Sequence, residues 1–227
     1  MTESKIHCKE LWRNAQSFND LCNAMVVSIK NRCETPWHLG GTDDETEEII
    51  PSLINIANTG NMFTIEGQPG ICERYNTAPN FGQQQRAYTS GFIRKTIIEK
   101  FINNLPKDIF VCIYNFKTGG KIIKNFPPST LDFYNMDEIP DLVIKLTVEY
   151  HTNNSNDMSK WTLYNNYTNF NIGDVEEFAS NDLELLTDSL KNKKNEKLLD
   201  EMCFIFLVQH DMCKTGINEK ILMALRN

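Results

Sequence analysis

The chain has 227 residues, 41% hydrophobic and 23% charged, a globular balance that excludes a disordered or fibrous polypeptide. Its formal net charge of -7 argues against non-specific binding to nucleic acid or to an anionic membrane. No apolar run approaches the roughly 20 residues that span a bilayer. The longest, Ile109–Tyr114 and Cys203–Val208, have strand lengths.

The N-terminus shows no basic stretch leading into an apolar one, so no secretory signal is expected. The seven cysteines, Cys8, Cys22, Cys33, Cys72, Cys112, Cys203 and Cys213, form an odd set without a Cys-x-x-Cys pair. That usage predicts free thiols in a reducing compartment, the cytoplasm, and not a disulfide scaffold. Heavy use of Asn, Ile and Lys with little Arg and Ala carries the imprint of an AT-rich genome, as in a large DNA virus. It speaks to origin and not to activity.

In chain order, Leu11, Ala15, Phe18, Cys22, Met25 and Ile29 recur at spacings of three and four, which predicts one amphipathic helix over Lys9–Asn31. The stripe suits a core face or the seam of a homodimer. Thr42 with Glu45 reads as a capping box for a helix through Ile49, Leu53 and Ala57, with a kink or restart at Pro51 and a left-handed end at Gly60. A short strand Met62–Ile65, an irregular loop over 71–82, a strand Arg86–Ile93 and a helix Lys95–Leu105 follow. Ile109–Phe116 reads as a strand buried on both faces, turning at Gly119-Gly120 into Lys121–Phe126. After Pro127-Pro128, the alternation of Leu142, Ile144, Leu146, Val148 and Tyr150 predicts a strand with one wet face, paired with Trp161–Tyr167. A helix Asp174–Leu190, a solvated stretch Lys191–Lys197, a buried strand Cys203–Val208 and a helix Asn218–Leu225 complete the chain. Strands mixed with helices predict an α+β or mixed α/β fold: one central mixed sheet, an N-terminal amphipathic helix, and helices packed on the sheet. A single domain over 1–227 is expected, with its weakest point near 127–128.

Four groups of residues could carry chemistry. The acidic helix start holds Asp43 and Asp44 with Glu47 and Glu48 one turn on; such carboxylates could bind Mg²⁺ or move protons, and they also complement the helix dipole. Trp37 and His38 lie just upstream. Gln68, between Gly67 and Pro69-Gly70, sits where a ligand can approach the backbone, though a plain turn reads the same way. Gln85, Arg86 and Tyr88 put polar groups on a strand, and a guanidinium suits a carboxylate or phosphate, or a structural ion pair. His210 and Asp211 follow a buried strand, where sheets with parallel strands collect ligands. His210 could act as a general base, or join Cys213 as a metal ligand or nucleophile, although no second ligand pair stands at metal spacing. No phosphate-binding glycine loop, nucleophile elbow or His-Glu-x-x-His pattern is present.

The segments Trp37-His-Leu-Gly-Gly-Thr-Asp-Asp-Glu-Thr46, Ile50-Pro-Ser-Leu-Ile-Asn-Ile-Ala-Asn-Thr-Gly60, Gly67-Gln-Pro-Gly70 and Gln85-Arg-Ala-Tyr-Thr-Ser-Gly-Phe92 together resemble an uncharacterised-domain family known mainly from actinobacterial hypothetical proteins. The resemblance covers about residues 35–95 and brings no established activity. Glu66-Gly67 stand where that family tends to have a serine before the glutamine. The order of the segments implies one shared site. The expectation is an intracellular protein binding a small polar or anionic, nucleotide-like ligand. Asp43, Asp44, His38, His210 and Asp211 would serve acid/base hydrolysis or group transfer, and Trp37, Gln68, Gln85, Arg86 and Tyr88 would hold the ligand. The alternative is a non-catalytic interaction protein, such as a viral host-modulating or structural factor, marked by an uncovered apolar face.

Overall fold

Ser17 divides the N-terminal apolar stripe. Its hydroxyl accepts from the Asp20 amide at 3.2 Å while the Asp20 carboxylate accepts from the Ser17 amide at 2.9 Å, a reciprocal cap that starts a new helix. In the computed structural model of the protein, the helix expected over Lys9–Asn31 is therefore two, α1 (Glu3–Asn14) and α2 (Phe18–Lys30). The structure describes residues 3–37, 44–74, 78, 80–125, 131–133, 142–191 and 196–227, with backbone only at 3–7, 44–48, 131–133, 142–143, 165–168 and 196. The Thr42 cap, Pro127-Pro128 and residues 192–195 of the solvated stretch lie outside the described residues.

The remaining elements in order are α3 (Asp44–Asn58), β1 (Met62–Gln68), β2 (Ile71–Arg74), β3 (Phe81–Arg94), α4 (Ile98–Asn104), β4 (Ile109–Asn115), β5 (Gly120–Lys124), β6 (Leu131–Phe133), β7 (Leu142–His151), β8 (Thr162–Asn171), α5 (Val175–Ser189), α6 (Glu196–Asp200), β9 (Met202–Met212) and α7 (Ile217–Arg226). Helix α3 runs through the exposed Pro51 as one element, without the restart that the sequence allowed. Gly60 ends it at φ +69°, the left-handed cap the sequence predicts. The loop expected over 71–82 contains β2, which pairs Ile71 with Gln85 and Arg74 with Gly82.

The strands join in the order β5-β4-β9-β3-β7-β6, with β1 and β2 also on β3 and β8 on β7, and each pairing is antiparallel. The fold is α+β. Strand β3 is the longest at 14 residues and serves two neighbourhoods. Its first part, Phe81–Gln85, pairs with β2 and β7, and the part from Arg86 to Arg94 pairs with β9 and β1. The changeover falls at Gln85 and Arg86.

Alternation on β4 and β9 sends apolar side chains to both faces. Phe110, Cys112, Phe204, Phe206 and Val208 face α2 and α5, and Val111, Ile113, Ile205 and Leu207 face α4 and α7. The stripe of α2 is buried in the chain's own core: Phe18, Leu21, Cys22 and Met25 pack with Phe63 and Phe92. Arg94 fastens α2 to the end of α3, lying 5.1 Å from the Phe18 ring centroid and donating to Gly60 O at 2.9 Å and Asn19 Oδ1 at 2.7 Å. Among the described residues, no helix is long and apolar enough to cross a membrane.

Candidate functional site

Four chain segments meet beside Tyr88 and enclose a cleft of about 320 Å³. The end of β1 and the turn after it supply Gly67, Gln68 and Pro69; β3 supplies Ala87 and Tyr88. The entry to α7 supplies Thr215, Gly216, Ile217, Asn218 and Glu219, and Ile49 of α3 closes one side. The volume suits a small molecule.

The α7 wall is polar for a backbone reason. Gly216 holds φ +84° at the helix entrance, and no side chain caps the helix. The first helical bond runs from Lys220 N to Gly216 O, so the amides of Ile217, Asn218 and Glu219 precede the hydrogen-bonded ladder. Asn218 sits on the helix's buried side, 6% exposed, and its Oδ1 is the one buried side-chain polar atom among the described residues without a hydrogen-bond partner. A buried acceptor left unpaired costs about 1–3 kcal/mol. Burial, and secondarily Glu66, pushes the Tyr88 phenol up to about 12, so it stays a protonated donor across the neutral range.

The far end of α7's first turn is firmly anchored. Lys220 Nζ donates to Asp108 Oδ2 at 2.6 Å and to Gln209 Oε1 at 2.9 Å, and Gln209 Nε2 donates to Asp108 Oδ2 at 2.9 Å. Burial tends to raise the Asp108 carboxyl, but the hydrogen bonds from Lys220 and Gln209 outweigh it and hold the group below its ordinary value.

Of the residues expected to form a site, Gln68 and Tyr88 line this cleft. Gln85 stands behind it, donating from Nε2 to Pro69 O at 2.8 Å and accepting from Thr147 Oγ1 at 3.2 Å, which braces the turn that forms one wall. Arg86 is not among the lining residues. It is 1% exposed, with Nε donating to Lys145 O of β7 at 2.9 Å and Nη1 to Gln209 O of β9 at 3.3 Å. Burial lowers its pKa, and Asp211 and Tyr150 work against that. Trp37 belongs to an aromatic group, 5.7 Å from Trp12, 6.1 Å from Phe63 and 5.9 Å from Phe92 between ring centroids, with Nε1 donating to Asp182 O at 3.1 Å. His38 and Asp43 lie outside the described residues, and Asp44 is described by its backbone alone as the first residue of α3. The acidic run considered for Mg²⁺ falls there too. Among the described residues, no group of three or more His, Cys, Asp or Glu is placed to hold a metal ion.

His210 and Asp211 face other partners. His210 Nε2 donates to Asn125 O at 2.6 Å, and its amide to Asp108 O at 2.8 Å. Asp211 pairs with Lys214, whose hydrogen bond holds the carboxyl below its ordinary range. Because the described strands are antiparallel, the argument from parallel strand ends does not place a site at His210. Cys213 is bonded to Cys72, against the expectation of free thiols, and in this bonded form it is neither a metal ligand nor a nucleophile. The residues that sequence reasoning passed over are Thr215, Asn218 and Glu219. The legible sign was an asparagine one position from Ile217, three before Ile221 and seven before Leu225, on the apolar side of the last helix.

The described residues form an α+β protein with a small cleft between β1, β3 and α7. Residues 7–119 match the family model described as "Domain of unknown function (DUF6919)", consistent with the uncharacterised-domain resemblance over 35–95. The match includes Gln68, Gln85, Arg86 and Tyr88 and stops short of β9 and α7. A curated protein, Methylenetetrahydrofolate reductase 2 of Saccharomyces cerevisiae, is 26% identical over 136 residues, which is 56% of this chain and 22% of that protein. The chain thus spans well under a third of the length of that relative.

Proposed function

We propose that this protein binds a small polar metabolite in the cleft between Gln68, Tyr88 and the first turn of α7. The observation that carries the reading is Asn218 Oδ1, a buried acceptor without a partner among the cleft-lining residues. The ligand supplies an N–H or O–H donor to that oxygen and a carbonyl or carboxylate oxygen to the helix's opening amides. No Lys or Arg is among the cleft-lining residues, which include Glu219, and Glu66 stands beside Tyr88. That charge pattern favours an uncharged or zwitterionic compound over a nucleotide-like anion. Carboxamides, amino acids and amide-bearing heterocycles fit this description. His210 and Asp211 do not line the cleft, so their acid/base role forms no part of the reading.

The test is thermal shift against amino acids, nucleobases, nucleosides and folates, the last because the yeast relative is named for reducing one. A ligand at 100 times its Kd stabilises by about 2.7 kcal/mol, which raises Tm by roughly 5–11 °C in a chain of this size. Asn218→Leu removes the orphan acceptor. It is expected to raise the ligand-free Tm while abolishing the ligand-dependent shift. A panel that moves neither protein, or a ligand that moves both equally, overturns the proposal.

A further inference from the structure

One covalent bond joins the two walls of the cleft. Cys72 lies in β2, three residues beyond Pro69, and Cys213 lies two residues before Thr215; the two are bonded, with Cα atoms 5.1 Å apart and a sequence separation of 141. Around this bond the segments are already close. The Cys213 amide donates to Gln85 O at 3.0 Å, and Gln85 is the residue that faces Ile71 of β2. A Cβ on Gly70 would collide with the Lys214 carbonyl, so the β1–β2 turn and the approach to α7 are in backbone contact. Cys213 holds φ +65°, a conformation that non-glycine residues adopt only where the surroundings impose it.

The pair also stands apart from the other cysteines. Cys72 and Cys213 are half-buried, while Cys8, Cys22, Cys33, Cys112 and Cys203 are enclosed. Burial pushes the Cys8 thiol up to about 11, with Cys33 adding to it, and the Cys22 and Cys112 thiols up to about 12. Those thiols are shielded from exchange both by access and by protonation.

We propose that Cys72–Cys213 is a thiol-exchange site for low-molecular-weight thiols, and that its redox state sets how firmly the two cleft walls are held together. A small thiolate attacks one sulfur, forming a mixed disulfide and releasing the other cysteine; a second small thiol then displaces the first. The sum is one protein disulfide plus two RSH giving two cysteine thiols plus RS–SR, with two electrons and two protons passing to the protein. The reverse reaction with RS–SR restores the bond. Reduction leaves the contact at Gly70 and the Gln85 hydrogen bonds to hold the walls, so the oxidised form is the more rigid one. The effect on a ligand rests on the cleft reading above; the exchange itself does not.

The experiment equilibrates the full chain in glutathione buffers from fully reduced to fully oxidised, traps thiols with a maleimide under native conditions, and locates the label by peptide mass spectrometry. Amide hydrogen exchange of residues 67–71 and 213–219 is followed in parallel. Cys72 and Cys213 are expected to gain label together as the buffer becomes reducing while the other five stay unlabelled. Exchange in the two wall segments is expected to rise on the order of tenfold in the reduced form, one RT ln 10 step of local opening. Cys72→Ser/Cys213→Ser should show the fast exchange in every buffer; should that variant not fold, reduced wild type supplies the same comparison. Persistent labelling of both cysteines in oxidised buffer, or wall exchange that ignores redox state, overturns the proposal. Neither readout uses a ligand, so failure of the binding panel is seen separately.

Discussion

Replacing Arg86 with methionine distinguishes a guanidinium that binds a ligand from one that holds strands together. The side chain is 1% exposed and reaches Lys145 O at 2.9 Å and Gln209 O at 3.3 Å. Methionine fills a similar length and offers no donor. The buried Gln209 carbonyl then loses a partner at a cost of about 1–3 kcal/mol, and the part-buried Lys145 carbonyl loses one at a smaller cost. Part of that cost is returned, because a charge that burial disfavours is removed as well. The net expectation is a loss of about 2–4 kcal/mol, or a Tm lower by roughly 5–15 °C for a chain of this length. Urea denaturation monitored by tryptophan fluorescence measures it, with binding followed separately at a temperature where the variant is folded. The ligand-dependent shift should survive, because Arg86 is not among the cleft-lining residues. A variant as stable as wild type within about 1 kcal/mol, yet deaf to the ligand, would refute the structural role and return Arg86 to the site.

Three further outcomes are expected. Gly70→Ala drives a Cβ into the Lys214 carbonyl and should cost about 1–3 kcal/mol by denaturant melting, with a weaker ligand response because the cleft wall must shift. Phe63→Ala removes a fully buried ring that stands 5.5 Å from Phe18 and 5.4 Å from Phe92, and should cost about 3–5 kcal/mol, enough to lower soluble yield. Asp108 has a folded-state pKa below its unfolded one, so its contribution is present at neutral pH and is lost as pH falls through the folded value. Because the carboxylate is partly solvated, that contribution is about 1 kcal/mol or less. The Tm of Asp108→Asn should therefore trail wild type by a few degrees at pH 7, and the gap should begin to narrow only as pH falls below about 4, closing below the depressed folded-state value. A gap that does not narrow at all as the pH is lowered through the acid range would assign the loss to something other than the carboxylate.

How far the sequence discloses this molecule depends on whether a signal is periodic. The strands β4, β7 and β9 were legible because continuous or alternating apolar runs have one reading at that length. Strand β2 was not, since Ile71-Cys-Glu-Arg74 shows no alternation and is made a strand by its partner β3. The break at Ser17 was hidden because Ala15 and Phe18 keep the helical spacing across it; only the Ser17–Asp20 pairing announced the cap. In the site, Gln68 and Tyr88 were visible as polar groups on or beside strands. Asn218 was masked by an apolar helix pattern that the eye completes. The union of Cys72 with Cys213 could not be read at all, because their separation of 141 residues leaves no local trace. Arg86 was singled out as a ligand-binding guanidinium, and its environment is two carbonyl groups at the point where β3 changes neighbours.

The position of β9 has a consequence for how the chain is made. This strand lies between β3 and β4, yet it is synthesised about 90 residues after β4 ends. Until it emerges from the ribosome, two long hydrophobic strands wait with open backbone edges and a gap between them. The nascent polypeptide therefore passes through an interval in which chaperone engagement or mispairing with another chain competes with completion of the sheet. Arrival of roughly the last ninth of the chain closes the gap from within and docks α7 in the same event. Assembly of the cleft is thereby deferred until the scaffold is whole, so a product truncated before β9 would be both sticky and without its cleft.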